Sequence, residues 1–469
     1  MKKAIAFLLS LMMVIALFAG CAQPTASEKP TAAEPTAAEQ TATAAPAEGG
    51  VINLYTFTDE VPKMIARYIE LHPEFKYKVN PTIIATTDGL YQPALDQALA
   101  AGGADAPDMY CAESAFVLKY TQGDMSSYAM PYADLGIDVA ADTKAADIAQ
   151  YTIDIGTRPS DKAVVGLGYQ ATGGVMIYRR SLAKATWGTD DPAVIADKVG
   201  PGWDKFFQAA AELKAKGYGI VSGDGDIWHA IENSSDKGWV VDGKLYIDPK
   251  REAFLDWSKK LKDNGYHNDT QDWQEAWFAD MQGTGPQPIF SFFGPAWLIN
   301  YVMAGNSGGT KIGEGTYGDW AVCKPPIGFF WGGTWVIANK SLADDPAKKE
   351  AVKTLIHWIT LQCDKDGLQY GWANGTWSGT QGTKDTVASG TVMAMSDGKI
   401  DFLNGQNMFD VFVPANQFAN GKNLTQYDED INRIWRDWVR QYTSGQVTRD
   451  EAIANFKQAV KDTLGIDAA

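Results

Sequence analysis

Cysteine and histidine are scarce in these 469 residues, four of each. Beyond Cys21 only Cys111, Cys323 and Cys363 remain, an odd number at wide spacing with no Cys-x-x-Cys pair. The sequence therefore gives no disulfide framework and no zinc motif; buried free thiols are expected, with room for one bridge. His72, His229, His267 and His357 are scattered, so no metal and no cofactor is expected. Cations are outnumbered, 41 Lys and Arg against 57 Asp and Glu, for a net charge of −16. A phosphate-binding surface needs clustered cations, so a nucleic-acid partner is disfavoured. No internal repeat occurs. The long apolar run at the start, Ala4 to Ala19, is too short to span a bilayer comfortably. Tryptophan is absent until Trp187 and then appears sixteen times.

What is present points to a folded body on a tether. The hydrophobic fraction of 45% with 12% aromatics excludes a chain disordered throughout. The length exceeds one compact core and calls for two domains or lobes. Lys2 and Lys3 precede the apolar run, and Phe18-Ala19-Gly20-Cys21 follows it. This resembles a bacterial lipoprotein signal, with Phe18 where the pattern usually carries Leu. The resemblance implies a signal peptide over 1–20 and lipidation of Cys21. Residues 22–50 are Ala, Thr, Pro and Glu almost without interruption, and such a stretch cannot bury enough to order itself. The expected location is the outer face of the cell membrane, with 21–50 as tether. Lys2 and Lys3 carry +2 and the tether −3, so −15 remains on the 419 residues from Val51.

That body alternates strands and helices. Val51 to Phe57 reads as a strand, and Thr58-Asp59-Glu60-Val61-Pro62 as a helix start with an acidic first turn. Lys76 to Ile84 is a second extended stretch. Tyr91 to Ala101 is a helix closed by Gly102-Gly103, and Pro107 to Cys111 is a short strand. A β-α-β-α-β order implies a parallel sheet covered by helices. Ligands in such sheets sit beyond the carboxyl ends of the strands, which selects Thr56 to Glu60 and Ala112 to Ala115. At the C-terminus, Thr448-x-x-Glu451 is a capping box before the apolar stripe Ile453, Phe456, Val460 and Leu464.

The order of motifs carries a resemblance. Tyr-Thr-Phe-Thr-Asp-Glu and Pro-Asp-Met-Tyr are followed by Gln-Ala-Thr-Gly-Gly-Val-Met-Ile-Tyr-Arg-Arg. Trp-Asp-Lys-Phe, Phe-Phe-Gly-Pro-Ala-Trp, Trp-Gly-Gly-Thr-Trp and a helical tail come next. Over nearly all of residues 51–469 this resembles the extracellular solute-binding proteins of carbohydrate ABC importers, the maltose-binding-protein-like group. The resemblance implies an α/β, periplasmic-binding-protein-like fold, in which two lobes joined by three crossings close over a ligand cleft. By analogy the crossings fall near Thr172 to Val175, Phe290 to Phe293 and Gly332 to Trp335. One lobe would then hold 51–173 and 291–333, the other 174–290 and 334–469. An oligosaccharide ligand, ABC permease subunits as partners, a monomer and no catalysis are implied.

A sugar needs flat aromatic platforms and hydrogen-bonding side chains at loops and strand ends. The aromatic candidates are Trp228, Trp297, Trp331, Trp372 and Trp377. The polar candidates are Asp59, Glu60, Glu113, Gln170, Thr172, Asp226, Gln406 and Asn407. Trp257, Trp358, Trp435 and Trp438 lie in helical patterns, and Trp273 and Trp277 are four apart on an expected helix, so packing is their expected role. A surface glycoside hydrolase would also use tryptophans and paired carboxylates, but no hydrolase motif stands out. A binding protein for a non-sugar solute such as a peptide or iron is a second alternative, which should leave basic clusters or Tyr and His metal ligands, and a purely structural lipoprotein is a third.

Overall fold

The computed structural model describes residues 49–86, 89–376 and 383–469. The signal segment 1–20, Cys21, residues 22–48 of the tether and Trp377 lie outside the described residues. The strands are β1 (Val51–Thr56), β2 (Lys78–Ile83), β3 (Met109–Glu113), β4 (Gly166–Gly168), β5 (Val175–Arg179) and β6 (Gly219–Val221), then a hairpin of β7 (Val240–Val241) and β8 (Lys244–Leu245), then β9 (Ile289–Gly294), β10 (Trp320–Cys323) and β11 (Thr334–Ala338). The helices used below are α1 (Glu60–Leu71), α2 (Tyr91–Ala101), α3 (Trp203–Lys214), α4 (Asp224–Glu232), α5 (Pro249–Asp263), α6 (Glu275–Gln282), α7 (Pro346–Thr360), α8 (Leu368–Asn374), α9 (Asp428–Thr443) and α10 (Arg449–Leu464).

Among the described residues, two larger sheets form. The first has the order β2-β1-β3-β11-β4, with β1 parallel to β2 and β3, and β11 antiparallel to β3 and β4. Side chains alternate across its plane, as strand geometry demands. Ile52, Leu54, Met109, Cys111 and Val336 face α1 and α7. Tyr110, Ala112, Trp335 and Ile337 face α2 on the other side. Met64, Ile65 and Tyr68 form the buried stripe of α1 at helical spacing. The second sheet has the order β10-β5-β9-β6. Met176, Tyr178, Phe290 and Phe293 face α3, α5 and the C-terminal helices α9 and α10. The capping box at Thr448 forms as the sequence implies.

The pairing corrects the expected partition of the chain. β9 and β10 both pair with β5, so 289–323 stays with the second sheet. β11 pairs with β3 and β4, and α7 packs on α1, so 334–360 belongs with the first sheet. Phe290 to Phe293 is therefore no crossing: all four residues are buried inside β9. A strand joins whichever sheet offers it unpaired backbone groups, and that long-range choice leaves no local mark on the sequence.

The chain passes between the sheets first at 169–174 and again at 324–333. These two segments are bonded to each other. Gly174 N donates to Phe329 O at 2.8 Å, and Trp331 N donates to Thr172 O at 3.1 Å. The third passage runs from Ala415 to α9, and Asn416 Oδ1 accepts from Gly173 N at 2.9 Å. Glycine is required here. A Cβ on Gly174 would lie 2.1 Å from the Phe329 ring, and Gly333 has φ +115°.

Candidate functional site

A cavity of about 290 Å³ opens where the passages meet. The first sheet contributes Glu113, Ser114 and Ala115 at the carboxyl end of β3. α4 contributes His229, Glu232 and Asn233, and the second passage contributes Phe330 and Trp331. α9 contributes Asp428, Glu429, Asn432, Arg433 and Arg436. Residues of both lobes thus face one volume, at the low end of the range for small-molecule sites.

Its floor is a buried charge network. His229 Nδ1 lies 3.2 Å from Glu232 Oε1, and Nε2 lies 3.4 Å from Asp272 Oδ2. Arg436 Nη2 donates to Asp272 Oδ2 at 3.0 Å. Burial opposes charge on the imidazole, but the neighbouring carboxylates of Asp272 and Glu232 prevail and raise His229 to about 9. Burial likewise opposes charge on Asp272, yet Arg436 and His229 hold its carboxyl well below the usual range. Asn432 closes the network, donating to Glu232 Oε2 at 3.0 Å and accepting from Trp239 Nε1 at 2.6 Å.

Above this floor lie three indoles. The His229 ring stacks on Trp331, with centroids 3.6 Å apart and planes 12° apart. Trp331 meets Trp297 edge to face at 4.7 Å, and Trp297 Nε1 donates to Trp331 O at 3.2 Å. Trp273 lies parallel to Trp297, 11° apart at 6.2 Å, and is 47% exposed. This corrects the packing role expected for Trp273. Its helical spacing to Trp277 is not realised, because Trp273 has φ +66° and sits ahead of α6, whereas Trp277 is buried.

On the cavity wall, burial pushes Glu113 up to about 7, against hydrogen bonds from Ala115 N at 2.7 Å and Ser114 Oγ at 2.9 Å. Burial raises Asp428 to about 6, opposed chiefly by Arg251. Glu429 is raised by burial too, and it accepts from Gln92 Nε2 of α2, a bond between the two lobes.

The other candidates separate by what they touch. Asp59 is exposed and pairs with Lys63 at 2.7 Å. Glu60 accepts from the Tyr169 hydroxyl, and burial raises its carboxyl. Gln170 Nε2 reaches Asp385 Oδ2 at 3.4 Å inside the first lobe. Five candidates, and the body of a sixth, are corrected to structural roles. Thr172 Oγ1 is buried and donates to Gly332 O at 2.9 Å, tying two passages together. Asp226 is buried at the start of α4, where it accepts from Ser222 N, Gly223 N and Trp277 Nε1. Trp372 is buried on α8 with its ring edge-on to Tyr169. Gln406 brackets the main chain of Val322, accepting at 2.9 Å and donating at 2.8 Å. Asn407 Oδ1 accepts from Gly398 N and Phe409 N, holding a turn. Trp228 is 1% exposed and packs on Phe254 at 4.8 Å, so only its edge reaches the cavity. Glu113 and Trp331 line the cavity, and Trp297 packs edge to face against Trp331. Sequence reading passed over His229, Glu232, Asp272, Asn432 and Arg436, which lie on separate elements and share no local motif.

A family model described as bacterial extracellular solute-binding protein matches residues 56–362. No curated protein matches the chain. Among solved structures, the galacto-N-biose-/lacto-N-biose I-binding protein of a Bifidobacterium longum ABC transporter, in complex with lacto-N-biose, aligns with TM-score 0.63 and 16% identity, covering 89% of this chain and 98% of that one. An ABC substrate-binding protein of Listeria monocytogenes with cycloalternan gives 0.62 and 15%, covering 90% and 100%. Maltose-bound MalE3 of T. maritima gives 0.61 and 16%, covering 88% and 100%.

Proposed function

The chain belongs to the bacterial extracellular solute-binding proteins, and from that premise we propose that its cleft captures an oligosaccharide for delivery to an ABC permease. The observation that carries this reading is the meeting of Trp273, Trp297 and Trp331 beside a cavity walled by hydrogen-bonding side chains. Indole faces accept the C–H faces of sugar rings, and Glu113, Asn233 and Asn432 suit hydroxyls. The ligands named for the similar structures, lacto-N-biose, cycloalternan and maltose, support it. The mechanism is a shift toward the closed arrangement of the lobes, driven by a ligand that touches both. No bond of the ligand is made or broken. No helix among the described residues is long and apolar enough to cross a membrane. A lipid at Cys21 would hold a monomeric receptor at the outer membrane surface, and globomycin sensitivity of processing, together with a Cys21→Ser variant found in the medium, tests that arm. Calorimetric titration across gluco-, xylo-, manno- and galacto-oligosaccharides tests the ligand class. Micromolar binding of at least one is expected. Heat from none, or release of shorter products, overturns the reading.

A further inference from the structure

One indole stands in a backbone conformation that bulky residues avoid. Six described non-glycine residues have positive φ: three are Asp, one is Asn, one is Lys, and the sixth is Trp273 at +66°. Short polar residues adopt that region readily, whereas a bulky ring there is an outlier. Gln274 N donates to Gln271 O at 3.3 Å, so Trp273 is the third residue of a turn, where positive φ ordinarily calls for glycine or Asn. The second residue of the turn anchors it. Asp272 Oδ2 accepts from Arg436 Nη2 at 3.0 Å and lies 3.4 Å from His229 Nε2. Gly225 leaves the room for this carboxylate, since a Cβ there would overlap Asp272 Oδ1. A costly backbone conformation persists only where its surroundings over-determine it, and such residues cluster where a ligand is held.

The strained residue is the open end of the aromatic cluster. Trp331 lines the cavity, and the His229 ring covers one of its faces. Trp273 does not line the cavity; it stands 6.3 Å from Trp331, parallel to Trp297, and is 47% exposed. A cavity of about 290 Å³ is small for a glycan, so a chain of several rings must continue outside it. Resting on the oligosaccharide reading, we propose that Trp273 is an outer subsite: its indole stacks on the sugar rings that extend past the cavity, so the protein selects longer chains over short ones. Asp272 is the positioning residue that fixes this indole before the ligand arrives, which leaves little ordering cost to binding.

The test is calorimetric titration of the purified protein with the disaccharide, trisaccharide and tetrasaccharide of each series in the panel. In the series that binds, the wild-type Kd should fall about tenfold or more from disaccharide to tetrasaccharide. Trp273→Ala should cut that gain to about threefold or less. Trp273→Phe keeps a flat ring and should retain most of the gain, which guards against a folding defect in the first variant. Asp272→Asn should also cut the gain. A general folding defect would weaken every length alike, so the dependence on length separates positioning from stability. The full gain in Trp273→Ala or in Asp272→Asn, or no gain in wild type, would overturn this inference and leave the oligosaccharide reading standing. Heat from no glycan at any length would overturn both.

Discussion

Adding one methyl group at Gly174 tests whether the two bonded passages form a tight hinge. In Gly174→Ala the new Cβ would stand 2.1 Å from Cε2 and Cζ of Phe329, whereas ordinary contact begins near 3.4 Å. The ring or the backbone must yield by about 1.3 Å. The ring cannot retreat easily, being fully buried with Phe293 6.2 Å away. The backbone is held by the 2.8 Å bond from Gly174 N to Phe329 O. Overpacking of a tight site costs about 1–3 kcal/mol, and the upper half of that range is expected here. Gly188→Ala is the control: its φ is +76° but its Cβ meets nothing, so it reports left-handed strain alone, about 1 kcal/mol. Urea denaturation followed by circular dichroism compares the two. Gly174→Ala should cost at least 1 kcal/mol more than the control. A variant at 174 within 0.5 kcal/mol of wild type would show that the passages move apart freely, and the hinge geometry argued above would be wrong.

Other outcomes follow from the buried groups. Stability should fall as pH rises from 5 to 9. Asp226 and Asp385 are raised by burial to about 7, so the folded chain holds more protons than the unfolded one between about pH 4 and 7. Asp226 alone accounts for on the order of 3 kcal/mol of that fall, lost between pH 5 and about 7. His229 adds stability below its unfolded value near 6.5 that disappears as pH passes about 9. A urea midpoint higher at pH 9 than at pH 5 would contradict this. His229→Phe keeps a ring against Trp331 but leaves Asp272 with Arg436 alone; a loss of about 3 kcal/mol in urea denaturation is expected. No measurable loss would show that the network does not hold the floor of the cavity. Gln406→Ala should destabilise by about 1–3 kcal/mol through the orphaned Val322 main chain, while leaving glycan affinity within threefold. A large affinity loss in calorimetry would return Gln406 to the ligand site.

How much of this could be read beforehand depended on the range of the interactions. β1, α1, β2, α2 and β3 were legible because alternation and helical spacing are local, as was the capping box at Thr448. The first passage was legible in Gln-Ala-Thr-Gly-Gly. The third was not, because 416–427 has no periodic signature and its tie to Gly173 spans 243 residues. The sheet allegiance of β11 was hidden for the same reason. At the site, Glu113 followed from the strand-end rule, and Trp297 and Trp331 from their glycine-flanked positions. Asp226 looked equally available, yet its carboxylate turns back onto the start of α4, as short acidic side chains at helix N-termini do. Trp273 was concealed by a single left-handed residue that breaks the apparent helix. The His229–Asp272–Arg436 network joins α4, the segment before α6 and α9, which only the fold brings together.

The most direct test of the central claim is calorimetric titration of wild type and Trp331→Ala with the tightest glycan of the panel. Trp331 is half-buried at the point where passage, indole cluster and cavity meet. Loss of its stacking face should weaken binding by about 1.4 kcal/mol or more, a tenfold rise in Kd. An unchanged Kd, with the variant still folded by circular dichroism, would contradict the account, since the sugar would then lie somewhere other than this cleft.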